Sequence, residues 1–216
     1  MKKLLGFSIF LVFVLIASLT AEAKVTLPAI FSDNMVLQQN TQVNVWGKAA
    51  PGEKVTVKAS WLDKPVTAKA AANGKWTVKL KTPKATTNQS VTVSGENEIT
   101  INNVLIGEVW LCTGQSNMEF PVSRHPDVKW NTGMLNEAEE LKDADYPEIR
   151  LFHVKHQLAH EGELDDCEGE WLVCNPKNLY DFSAVGFVFG RKLYKELKMP
   201  VGLIQSTWGG THAESW

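Results

Sequence analysis

Apolar and polar residues alternate in four short runs, 43–46, 54–59, 75–80 and 90–94, which is the period of a strand with one face covered and one face wet. Pro51-Gly52, Ala72-Asn73-Gly74 and Gly95-Glu96-Asn97 separate them and supply the fixed or positive φ that hairpin turns need. Short strands at this spacing predict a β-sandwich domain over residues 24–103. Trp46, Trp61 and Trp76 fall one to a run or beside it. They can fill such a core or line up as a sugar-stacking platform, and the interior role is the expected one.

The period then changes. Residues 104–113 form an apolar run rich in β-branched side chains, bounded by Asn102-Asn103 and Gly114, which reads as a parallel strand buried on both faces, with a helix to follow. Residues 121–146 are polar and loop-rich, with a short helix expected within 134–141, and 149–154 reads as another strand. Asp181 or Ser183 can cap a helix in which Val185, Phe189, Leu193 and Leu197 recur every four residues, and which Lys195, Lys198 and Pro200 close. Residues 201–207 give a further parallel strand, ending in Trp208-Gly209-Gly210-Thr211. Strand, helix and strand with short connections make a right-handed crossover, so the expectation from residue 104 onward is an α/β domain with a parallel sheet.

Residues 1–23 carry Lys2-Lys3, an apolar run and Ala21-Glu22-Ala23, the pattern of a secretory signal with an A-x-A cleavage site. An exported, periplasmic or extracellular chain follows from that reading, with no membrane attachment once the signal is removed. The net charge of -2 gives no nucleic-acid footprint. Cys112 sits inside the apolar run and reads as core, whereas Cys167 and Cys174 stand close enough to close a small disulfide loop. Their spacing does not suit zinc. His153, His156 and His160 cluster in sequence, yet on a strand 153 and 156 point to opposite faces, so neither a metal nor another cofactor is expected.

Chemistry is concentrated at Gly114-Gln115-Ser116-Asn117-Met118-Glu119. A sharp strand-to-helix turn there lifts the Ser116 hydroxyl above the carboxyl edge of the sheet and points free amides of the first helical turn at whatever it attacks. Alternatively Ser116 simply caps the helix. Gly209 and Gly210 fall at the same edge, where glycine lets backbone amides approach a ligand, or merely makes a tight turn. A general base is assembled in space, and one of the three histidines could supply it.

The residues 107–119, Phe182-Ser183-Ala184-Val185-Gly186, Gly202-Leu203-Ile204, Trp208-Gly209-Gly210-Thr211 and Glu214-Ser215-Trp216 closely resemble the sialate O-acetylesterases of the SGNH hydrolase superfamily. The resemblance implies a β-sandwich ahead of a flavodoxin-like hydrolase domain, and a serine esterase that removes acetyl groups from O-acetylated carbohydrates. Ser116 is then the nucleophile. The amides of Ser116 and of Gly209 or Gly210 form the oxyanion hole, and Gln115 and Asn117 brace the turn beside Gly114. An Asp-x-x-His block that supplies the base in that superfamily has no match here, so the expectation is a front portion of a longer enzyme, barely active alone. An acetylxylan or other polysaccharide deacetylase would use the same serine, and a non-catalytic carbohydrate-binding module would need only the sandwich.

Overall fold

In a computed structural model, residues 24–125, 127, 133–160 and 162–212 are described. The signal reading at 1–23 and Glu214-Ser215-Trp216 lie outside the described residues.

Alternation becomes strand where it was expected. β2 (Gln42–Lys48), β3 (Lys54–Ala59), β5 (Lys75–Lys81) and β6 (Thr86–Ser94) each bury every second residue over part or all of their length, and β5 does so throughout, with Trp76, Val78 and Leu80 in and the lysines out. Two further strands, β1 (Val36–Gln38) and β4 (Val66–Lys69), were not anticipated. Three or four residues are too few to establish a period.

β7 (Glu98–Gly114) is the spine of the molecule. Its first half pairs antiparallel with β6, and its last seven residues pair in parallel with β10 (Val201–Thr207). β8 (Tyr146–His153) lies parallel on the other side of β10, and β9 (Trp171–Cys174) pairs antiparallel with β8. The large sheet therefore runs β4-β3-β6-β7-β10-β8-β9 with β1 beside β7, while β2 and β5 form a separate antiparallel pair. The architecture is a mixed sheet of parallel and antiparallel strands with few helices. Residue 104, where the sequence reading begins its second domain, lies within β7, because the alternation at 98–101 runs straight into the apolar stretch with no turn between them.

Two cores flank this spine. One gathers Val45, Trp76, Val78 and Leu80 of the small pair against Val55, Val57, Val91, Val93 and Ile101. The other gathers Ile149, Leu151, Phe182, Phe187, Val201 and Leu203 under α4 (Ala184–Leu197). Trp76 is core, as expected, but Trp46 keeps 40% of its surface exposed, with Phe31 edge-on at 4.6 Å, and Trp61 hydrogen-bonds Lys81 O.

Ser183 caps α4, accepting from Gly186 N at 3.0 Å, and Lys198 ends it in the left-handed conformation. The buried face differs from the one the apolar repeat suggests. Val185, Phe189 and Leu197 are exposed, whereas Ala184, Phe187 and Gly190 face the sheet. Small residues win this face because the helix lies so close to β10 that a Cβ on Gly190 would stand 2.5 Å from Leu203.

All three cysteines are free. Cys174 is fully buried in the core under α4 and Cys167 packs against the core of the small pair, so the expected Cys167–Cys174 bridge is replaced by two thiols in different cores. The loop-rich stretch carries α2 (Glu137–Lys142), tied to α4 by Arg191 on Glu140, and α3 (Pro176–Leu179) follows β9. Among the described residues no helix is long and apolar enough to cross a membrane.

Candidate active site

The site grows from the carboxyl end of β7. Gly114 closes the strand at φ 139°, a conformation open to glycine, and the chain turns directly into α1 (Ser116–Glu119). Gln115 is the N-cap residue and makes no side-chain cap bond, so Ser116 occupies the first helical position and its hydroxyl is not spent on capping. Ser116 is exposed. The turn is held by backbone: Met118 N and Glu119 N donate to Gln115 O at 2.9 and 3.0 Å, and Phe120 N donates to Ser116 O at 3.0 Å. Gln115 and Asn117 are exposed, and neither side chain makes a hydrogen bond among the described residues. Among the described residues the Gln115 carbonyl braces the turn.

β10 pairs in register with β7 up to Thr207 beside Gly114, and the following corner lands on the Ser116 turn. Trp208 N donates to Gly114 O at 3.0 Å. A Cβ built on Gly209 would lie 3.4 Å from Ser116 Oγ, 3.7 Å from Ser116 Cα and 2.6 Å from Glu119 Oε2. A side chain at this position would displace the Glu119 carboxylate. Gly210 follows at φ 79°, with open space where its Cβ would stand. The hydroxyl and the Gly-Gly corner, remote in sequence, are brought side by side.

Similarity to known proteins extends over most of the chain. The chain is 35% identical over 208 residues to the sialate O-acetylesterase of Mus musculus and 33% identical over 204 residues to that of Homo sapiens, 87% and 86% of its own length. The chain is a relative of the sialate O-acetylesterases. It spans 37% of the length of both proteins. A carbohydrate acetylesterase from Xanthomonas citri, known from its crystal structure, superposes with a TM-score of 0.79 at 32% identity, covering 89% of this chain and 42% of that one. No family model matches.

Three further residues of this sialate O-acetylesterase relative meet beside Ser116. The sequence reading offered His156 as one of three histidines that could supply a base, and gave Glu119 and Trp208 no role of their own. Glu119 accepts from Gly209 N with Oε2 at 2.6 Å and meets His156 Nε2 with Oε1 at 3.1 Å. His156 also lies 2.7 Å from Thr207 O and stacks flat on Trp208 at 4.3 Å. Together with Leu158, Leu164 and Thr207, His156 and Trp208 line a cleft of about 590 Å³. The only sequence signal for Glu119 was its place in the Ser116 motif. His156 and Trp208 stood in the histidine cluster and the Gly-Gly motif without any sign that they touch.

The remaining histidines do not converge on the hydroxyl. His153 ends β8, where desolvation and then the neighbouring His156 hold its pKa below the ordinary histidine value, against the pull of Asp181 and Glu119. His125 pairs with Asp181 and meets Tyr180 edge-on at 5.5 Å. His160 is exposed. Among the described residues no histidine hydrogen-bonds Ser116.

Proposed function

We propose that this chain carries the nucleophile half of a carbohydrate O-acetylesterase site, with sialate O-acetylesterase-like specificity, in which Ser116 attacks the acetyl carbonyl. The supporting observation is the exposed Ser116 hydroxyl set against the Gly209–Gly210 corner. Attack forms the Oγ–C bond, and collapse of the tetrahedral intermediate expels the sugar oxygen and leaves an acetyl-enzyme, which water then hydrolyses to acetate. Charge on the carbonyl oxygen needs amide donors about 3 Å away, each worth about 3 kcal/mol, and Ser116 N–H together with the Gly209–Gly210 corner supplies candidates. In this reading residues 24–103 form a β-sandwich module, and residue 104 opens the first part of an SGNH-type hydrolase domain of an exported protein.

No side chain bonded to Ser116 can take its proton among the described residues, so we infer that the 216-residue chain by itself hydrolyses acetyl esters barely or not at all. Acetate release from O-acetylated sialic acid and from acetylated xylan tests this. The expected result is trace release from both, whereas turnover that Ser116→Ala abolishes would overturn the inference of inactivity. Preference for acetylated xylan by such an active chain would favour a polysaccharide deacetylase.

A further inference from the structure

We propose that Glu119 is the positioning residue of the Ser116 site, holding the Gly209–Gly210 corner so that the amides left for an oxyanion are those of Ser116 and Gly210. This rests on the reading of Ser116 as a nucleophile. Glu119 lies three residues after Ser116 in the same helical turn, so its backbone moves with the nucleophile. Its two carboxylate oxygens reach different partners on the far side of the site, Gly209 N–H at 2.6 Å and His156 Nε2 at 3.1 Å. His156 Nε2 stands between two acceptors, the Glu119 carboxylate and Thr207 O at 2.7 Å, so it is the protonated nitrogen. Its ring is fixed in turn by the Trp208 face. One carboxylate therefore ties the nucleophile's turn to both the end of β10 and the corner beyond it.

The amides of that corner can then be told apart. Trp208 N–H is spent on Gly114 O, and Gly209 N–H on Glu119. Gly210 is the next amide, in the left-handed conformation and beside open space, and it has no hydrogen-bond partner among the described residues. The Gly209 amide does its work by anchoring. A charge-assisted bond from an amide to an ionised carboxylate is about twice as strong as a neutral one, which suits an anchor better than a site that must open to substrate.

The test uses the whole chain and two readouts. Diethyl p-nitrophenyl phosphate at pH 9 phosphorylates an accessible serine without a side-chain base: the Oγ–P bond forms, p-nitrophenolate leaves with the electron pair, and hydroxide takes the serine proton. One equivalent of p-nitrophenolate from the wild type and none from Ser116→Ala is expected. Glu119→Ala should label at least about tenfold more slowly, and Glu119→Gln, which keeps an acceptor for Gly209 N–H, within about threefold of wild type. In ¹⁵N-resolved NMR the Gly209 amide proton should shift as the Glu119 carboxyl titrates, and should not in Glu119→Gln, with Gly210 little affected in either. Labelling of folded Glu119→Ala at the wild-type rate overturns the proposal, as does a Gly209 amide that ignores the titration of Glu119, which also decides the case if Glu119→Ala fails to fold. Wild-type chain that does not label, or Ser116→Ala that labels equally, removes the nucleophile reading and the proposal with it.

Discussion

Gly209 stands so close to Ser116 that a methyl group on it would lie 3.4 Å from the hydroxyl oxygen, and 2.6 Å from the Glu119 carboxylate that binds its amide. The site is assembled by this contact between the ends of two neighbouring parallel strands. Edges of this kind are where open α/β sheets place their ligands, since both chains leave the sheet at the same level.

Gly209→Ala should therefore press on the Glu119 carboxylate and part the corner from the Ser116 turn. The expected outcome is a stability loss of about 1–3 kcal/mol in urea titrations, from overpacking against an anchored carboxylate. Gly210→Ala meets no neighbouring atom but must hold φ 79°, so its cost should be backbone strain alone, about 1 kcal/mol. Equal stability of Gly209→Ala and wild type would contradict the close approach.

The Glu140–Arg191 pair offers a pH-dependent test. Glu140 is 8% exposed, and burial pushes its pKa up, but the hydrogen bond and charge of Arg191, with a hydrogen bond from Asn136, outweigh burial and bring it below the ordinary value of 4.5. A carboxyl lowered in the folded state adds stability above its unfolded pKa and loses it as pH falls through the folded one. Arg191→Ala should cost about 3–5 kcal/mol at pH 7, because it strands a buried charge. The gap from wild type should narrow below about pH 4.5, as urea midpoints across pH will reveal. A gap that is constant with pH would mean that packing, not charge, carries the effect.

Gly190→Ala sets helix propensity against packing. Alanine gains about 1 kcal/mol over glycine in a helix interior, yet here its Cβ would sit 2.5 Å from Leu203 Cδ1 in a fully buried side chain. We expect a net loss of about 1–3 kcal/mol, substantially relieved by Leu203→Ala in the same chain. Additive losses in the double variant would show that the two residues do not compete for space.

Thiol reactivity should separate the cysteines. Burial pushes the Cys174 pKa up to about 12 and raises that of Cys112, and Cys167 is raised as well but lies nearer the surface. Ellman's reagent on the native chain should thus consume one thiol, lost in Cys167→Ser, and all three after unfolding. Only one thiol in the unfolded, non-reduced chain would restore the disulfide.

Local rules carried the sequence reading a long way. β10 falls at the predicted 201–207 and Ser183 caps its helix, because a strand between Pro200 and a glycine corner, and a serine ahead of a helix, are decided by neighbours in sequence. The same is true of the turn at Gly114 that exposes Ser116. The face of α4 was not legible this way. An apolar repeat shows that a helix has a greasy stripe, but the distance to the sheet selects the face, and the side at Gly190 and Phe187 allows the closer approach.

What the sequence by itself determined is the set of strands and helices with clear periods, and the serine on its turn, since φ preference, capping and periodicity act over a few residues. Tertiary structure alone decided that β7 serves two cores, that Cys167 and Cys174 lie in different ones, and that Glu119, Gly209, His156 and Trp208 meet. Those contacts join residues up to 90 positions apart. They exist because strand register sets which chain ends emerge together, and register is a property of the assembled sheet.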